Sequence, residues 1–381
     1  VKSALSFVTR SGWTLFGLVC IALPAGYLAG YRVLFGFGLT GAILLAFAAV
    51  AVLLRPGLQV ERSIHPQRVT VGDDALGAVV VTNTSRRPSL AQAGRDWVGD
   101  RSIPVALPAL SPGRHKSHRY LLPTDKRAAV RVGPFVVRQS DPFALWTRDR
   151  DHGELLDFYV HPRRYPLTRL PASRRLSLEG PTSDRAPRGS TTFHAIRHYV
   201  PGDDRRHIHW KASARSGELM VRQLVDTSEP SLSLVLDVGA DRYQDAELFE
   251  GAVEITASLA EAASAHGFPV RLHTTGGDAW LGRHDEPDML LDELARLHLS
   301  SDSSLDRARR EILAGPRGPT LIVVGGRFDA ADAVAAESMR SHFGETSIVS
   351  IGEMGVALGA SHAAVGSGAE FAALWNARVI E

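Results

Sequence analysis

The chain has 381 residues, with 43 Lys or Arg against 41 Asp or Glu and a formal charge of +2. That length exceeds one ordinary domain of about 100–200 residues, so two or three domains are expected. The near-balance of charge argues against a whole-molecule polyanion binder, and a lone Cys20 excludes an internal disulfide framework and a Cys-based zinc site.

Residues 1–12 precede two apolar runs. Trp13 to Tyr31 carries no charge over 19 positions, and after Arg32 a second run, Val33 to Leu54, adds 22 more. Each can cross a hydrocarbon core of about 30 Å at about 1.5 Å per residue. Pro24 and the glycines are tolerable in such helices. A signal peptide is the rival reading of the first run, and the second run that follows at once argues against it. We expect a transmembrane hairpin over 13–55. Lys2 and Arg10 before it, and Arg55, Arg62 and Arg68 after it, outnumber the lone Arg32 of the connection. The positive-inside rule then places both ends, including a cytoplasmic N-terminus, in the cytoplasm.

From 56 to 162 the pattern turns to short β-rich runs separated by turn residues, as in "QRVTVGDDALGAVVVTNTSRRP". This reads as a small antiparallel, sandwich-like domain. Residues 163–229 form a linker and a polar signature segment. Between Arg163 and Arg222 there are 13 Lys or Arg against 5 Asp or Glu. Within "HYVPGDDRRHIHWKASARSGELMVRQ", His198 to Gln223, Pro201-Gly202 suits the centre of a type II turn. Asp203 or Asp204 can cap a helix of about three turns that ends at Gly217 as its C′ residue. Arg197, Arg206, Arg215 and Arg222 are expected to pair with Asp203, Asp204 and Glu218, which locks the loop. His207 and His209 lack a third ligand nearby, so a metal there is not expected. Trp210 reads more as an anchor than as a stacking platform, and nucleic acid is not an expected partner. The stretch is read as a folded joint, with any partner contact on its exposed basic side.

From 230 to 381, strand and helix alternate: "SLSLVLDV", "AELFEGAVEITASLAEAASAHG", "FPVRLHTT", "DMLLDELARLH", "PTLIVVGG", "AADAVAAESMRSHFG" and "TSIVSIG". Apolar strands in this order imply a parallel sheet covered on both faces, with ligands gathering beyond the strands' carboxyl ends. Asp237 and Asp241 of "LDVGAD" stand at that edge. There, von Willebrand factor A-type domains hold a divalent cation with an Asp-x-Ser-x-Ser loop. Here Gly239 and Asp241 replace the two serines. Two readings stay open: a degenerate site for Mg²⁺ or another divalent cation, or two acids that cap the next turn.

Arg197, Tyr199, Gly202, Asp203, Arg206, Ile208, Trp210, Lys211, Ala214, Arg215, Leu219, Val221 and Arg222 resemble the signature of the domain of unknown function 58 family. That signature runs Arg-x-Tyr, Pro-Gly-Asp-Asp, Arg-x-Ile-x-Trp-Lys-x-Ser-Ala-Arg and Leu-x-Val-Arg. The likeness extends to the apolar hairpin, to "GP…SDPFALW" between Gly133 and Trp146, and to the A-like (Rossmann-like) α/β domain. Gln223 and the Asp237 loop depart from the pattern. The resemblance implies a two-pass protein of the bacterial inner membrane, its body in the cytoplasm, that works with a MoxR-type AAA+ ATPase in protein maturation or complex assembly. The expected role is a non-enzymatic adaptor or scaffold, its client unknown. The alternative is a metal-dependent hydrolase or envelope-processing factor that uses the Asp237/Asp241 loop.

Overall fold

The computed structural model describes residues 7–53, 57–89, 91–168, 191–199, 208–226, 231–282, 287–315, 318–353, 355–357 and 361–377. The chain divides into two compact units, Val1–Val160 and His161–Glu381.

In the first unit the two charge-free runs are helices: α1 spans Arg10–Leu28 and α2 spans Arg32–Leu53. The Thr9 side chain caps α1 by accepting from the Gly12 N–H at 3.0 Å. The helices lie close because small residues face the partner backbone. A Cβ on Gly26 would stand 2.5 Å from the Phe35 nitrogen. Both helices are long and apolar enough to cross a membrane. Their outward surfaces are apolar too, with Phe16, Ile21, Tyr27, Phe37, Ile43 and Phe47 exposed.

The rest of this unit is strand: β1 Leu58–His65, β2 Arg68–Thr70, β3 Leu76–Asn83, β4 Gln92–Val98, β5 Arg101–Leu107, β6 His115–Leu121, β7 Ala128–Ser140, β8 Thr147–His152 and β9 Leu156–His161. One antiparallel sheet has the order β1-β3-β6; the other runs β2-β9-β7-β4-β5, with β8 also on β7. β3 alternates buried and half-buried residues, so Val79 and Val81 point inward. They share one core with Phe135 and Val137 of β7 and Phe158 of β9. Inside that core Arg62 donates to Asp96 through Nε at 3.1 Å and Nη2 at 2.6 Å. The Tyr120 hydroxyl also donates to Asp96. Gly133, at φ +115°, makes the room: a Cβ there would meet Arg62 Nη1 at 2.5 Å.

The "SDPFALW" turn has a physical role at the foot of α1. The Asp141 carboxylate accepts from the N–H groups of Phe143 at 2.8 Å and Trp146 at 2.6 Å. The turn then presents the Leu145 carbonyl to the Thr9 N–H at 2.9 Å.

The second unit begins with a strap, residues 161–168. Its Tyr165 N–H donates to Ser258 Oγ and its Arg164 to Glu261. A two-stranded antiparallel hairpin follows, β10 Thr191–His198 with β11 Met220–Asp226, and between them stands α3 Trp210–Ser216. The remaining elements are β12 Leu232–Leu236, a 3₁₀ turn Ala240–Arg242, α4 Ala246–Ala265, β13 Val270–Thr274, β14 Ala279–Gly282, α5 Pro287–Arg296, α6 Leu305–Ala314, β15 Thr320–Gly325, α7 Ala330–Arg340, β16 Glu345–Ile351, β17 His362–Val365 and α8 Gly368–Asn376.

The six-stranded sheet has the order β14-β13-β12-β15-β16-β17, parallel except for the antiparallel edge strand β14. On one face Leu234, Leu236, Ile322 and Val324 pack with residues of α4, α5 and α8. On the other, Val235, Leu321, Val323 and Ile348 meet Ala308 and Ile312 of α6 and Met339 of α7. Each such aliphatic side chain contributes about 1.5–3 kcal/mol on burial. Strand order reverses between β12 and β15, so the crevice of this doubly wound sheet lies beyond their carboxyl ends.

Candidate functional site

The turns after β12 and β15 line that crevice. A cavity of about 470 Å³ there is bordered by Asp241, Arg242, Arg327, Phe328, Asp329, Ala330, Gly355 and Val356. Asp237, the first residue beyond β12, is only 4% exposed. Its Oδ1 accepts from the Gly239 N–H at 3.0 Å and from Thr275 Oγ1 at 2.7 Å. The Tyr243 hydroxyl donates to the Asp237 carbonyl at 2.6 Å. Burial pushes the Asp237 carboxyl above its ordinary range, against the pull of Thr275, the Gly239 N–H and the Arg242 charge.

Arg242 crosses the turn into this acidic edge. Its Nη1 lies 3.0 Å from Asp329 Oδ2 and 2.9 Å from Asp332 Oδ2. Burial works against the guanidinium's charge, but Asp332, Asp329 and Asp237 together hold its pKa above the usual value. Asp329 and Asp332 also form a capping box that starts α7. Asp329 is held low first by the Asp332 backbone N–H, whereas burial pushes Asp332 up.

A divalent cation on Asp237 and Asp241 does not fit this arrangement. Asp237 Oδ1 is engaged by its own turn and by Thr275, whereas Asp241 is exposed in the 3₁₀ turn, which has no side-chain cap. Among the described residues no group of three or more His, Cys, Asp or Glu is arranged to hold a metal. A serine at 239 would also crowd its neighbours. A Cβ there would stand 2.7 Å from Arg242 Cγ and 2.6 Å from Ser303 Oγ. The sequence reading missed Arg242, Asp329 and Asp332. The available signal was the glycine at 239 together with the Gly325-Gly326 doublet, whose second member would clash with the Arg242 carbonyl at 2.2 Å if it bore a Cβ.

The signature segment differs from expectation in three ways. Its helix, α3, has seven residues rather than three turns, and its cap is His209, whose Nδ1 accepts from the Ala212 N–H at 3.0 Å. Ile208 is bridged to Val221, an extended pairing that a helix begun at Asp203 or Asp204 could not make. Gly217 does take the left-handed C′ position, φ 76°. Second, Glu218 pairs with His198 at 2.8 Å, a partner outside the expected set. Third, Trp210 is no buried anchor: it opens α3 at 69% exposure, beside exposed Lys211 and Arg215. Ile208 and Val221 supply the buried contacts instead. Tyr199 joins the hairpin through its N–H to the Leu219 carbonyl, and Arg197 and Arg222 stand on β10 and β11. Pro201, Gly202, Asp203, Asp204, Arg206 and His207 lie outside the described residues.

Residues 195–280, from β10 into β14, match the family described as "Protein of unknown function DUF58". The chain is also 31% identical over 144 residues to a protein of Bacillus subtilis (strain 168) called "Uncharacterized protein YeaD", a match that covers 36% of this chain and 35% of that protein. The matched part thus spans about a third of this relative's length. Among solved structures, the ApaA protein from Bordetella pertussis is 13% identical with a TM-score of 0.22, over 28% of this chain and 94% of that one. The CARDB domain of the PF1109 protein from Pyrococcus furiosus is 19% identical with a TM-score of 0.21, over 28% and 93%.

Proposed function

We propose that the chain is a non-enzymatic adaptor, held in the bacterial inner membrane by α1 and α2 with its body in the cytoplasm. It would present its von Willebrand factor A-like α/β unit and signature hairpin to a MoxR-type AAA+ ATPase or to that ATPase's client. The observation that carries this reading is Trp210. A tryptophan at 69% exposure, with Lys211 and Arg215 exposed on the same short helix, is a surface suited to being covered. Aromatic and arginine side chains dominate the energetics of protein interfaces. The segment that carries them lies within the family match, and the apolar outward faces of α1 and α2 suit a bilayer.

The test is co-purification of the detergent-solubilised chain with the MoxR-type ATPase of the same organism, in ATP and Mg²⁺. Retention of the ATPase by wild type, lost on Trp210→Ala with the hairpin still folded, is the expected result. Failure of wild type to retain it under these conditions removes the ATPase partnership. Retention unchanged by Trp210→Ala removes the hairpin as the contact face.

A further inference from the structure

We propose that Arg242 is the built-in cation of the sheet edge. Its guanidinium pairs with Asp329 and Asp332, within the field of Asp237, and supplies the positive charge of the crevice between β12 and β15 without any metal ion. Three independent features of the geometry converge on this.

The first is charge. Three carboxylates gather beyond β12 and β15, and one Nη1 atom reaches two of them at 2.9 and 3.0 Å. A cluster of this kind favours a positive centre, because neighbouring carboxylates raise one another's energy. The second is space. Gly239 leaves room for the arginine stem, since a Cβ would press within 2.7 Å of Arg242 Cγ. The residue that removes a hydroxyl ligand from the loop is therefore the residue that admits the arginine. The third is backbone approach. The Arg327 N–H donates to the Arg242 carbonyl at 2.8 Å, and a Cβ on Gly326 would stand 2.2 Å from that same carbonyl. The turn after β15 is thereby pinned to the turn after β12, and Arg242 is held at both its backbone and its head.

The consequence is a sheet edge whose order does not depend on divalent cations and whose positive charge cannot be stripped by a chelator. Arginine suits the task because it stays charged and presents a fork of donors, which a point charge of the same sign does not.

The experiment uses the full chain in detergent, freed of metal, with bound Mn²⁺ read by electron paramagnetic resonance. Hydrogen exchange at the β12 and β15 amides supplies a second readout. Wild type is expected to bind no stoichiometric Mn²⁺ and to exchange at the same rate in EDTA and in millimolar Mn²⁺. Arg242→Ala should speed exchange at β12 and β15 by about tenfold or more, and Mn²⁺ should bind and slow it again. Should Arg242→Ala fail to fold, Arg242→Gln removes the charge with little change of volume and is expected to behave alike. Stoichiometric Mn²⁺ on wild type, or EDTA-accelerated exchange there, would overturn the proposal. Variants that exchange like wild type, or that gain no Mn²⁺ dependence, would overturn it equally.

Discussion

Arg62 and Asp96 meet side-on in the core of the strand-rich unit, with side chains 2% and 0% exposed, while Arg62 Nη1 donates to the carbonyls of Val132 and Glu154. Such a pair contributes little beyond a well-packed apolar substitute, but it is costly to break, because one charge is then left buried without its partner. Asp96→Ala should therefore destabilise the strand-rich unit by about 3–5 kcal/mol. The measure is loss of exchange protection along β4 and β6, with β12 unaffected. Gly133→Ala should act on the same pair, since its new methyl would occupy the place of Arg62 Nη1.

Trp210→Ala removes a side chain that is mostly in water, so thermal unfolding of the chain should shift by no more than about 0.5 kcal/mol equivalent. Val221→Ala, which empties a buried position on β11, should cost about 1–3 kcal/mol and loosen the hairpin. A melt lowered by Trp210→Ala as much as by Val221→Ala would mean that the tryptophan is structural after all.

Much of this architecture was legible in the sequence because its signals are local. The charge-free runs marked α1 and α2 to within three residues at each end, and the alternation of β3 and the long amphipathic pattern of α4 gave their own faces. Other elements were hidden. α6, "LDRARREILA", buries only Leu305, Ala308 and Ile312 among many charges, and β8, "TRDRDH", has no apolar residue at all. The candidate site was the least legible part. Asp237 could be placed at a strand end, but its neighbours Asp329 and Asp332 come from more than ninety residues later, through the β12–β15 pairing. Likewise, two acids after a Pro-Gly turn suggest a cap, whereas the His209 ring makes the bond that starts α3.

Asp141→Ala should free two N–H groups, those of Phe143 and Trp146, from their shared acceptor. Hydrogen bonds to a charged acceptor are worth about 1.5–3 kcal/mol each when removed. The turn would then no longer hold the Leu145 carbonyl against Thr9, so exchange should quicken at the first turn of α1 as well as within 141–146. Asp141→Asn, which retains one acceptor oxygen, should fall between wild type and Asp141→Ala. Identical protection of the α1 first turn in all three chains would separate the helix foot from this turn.

His161 gives the second unit a defined acid sensitivity. Its ring is 4% exposed and its Nε2 stands 2.8 Å from Asp292 Oδ1. Burial lowers its pKa below the ordinary 6.5, against the opposing pull of Asp292 and Asp288, while Arg164 adds to the lowering. The unfolded chain therefore takes up this proton before the folded one does. Stability from His161 is complete above about pH 6.5 and declines as pH falls from there towards the depressed folded value. His161→Gln keeps an N–H donor for Asp292 but cannot titrate, so the loss of protection at α5 on acidification should be shallower than in wild type. It should not vanish, because burial also lowers the pKa of His273 and His362 in the same unit. An acid profile of α5 exchange identical in wild type and His161→Gln would show that His161 keeps the same proton affinity folded and unfolded, its carboxylate partner offsetting its burial.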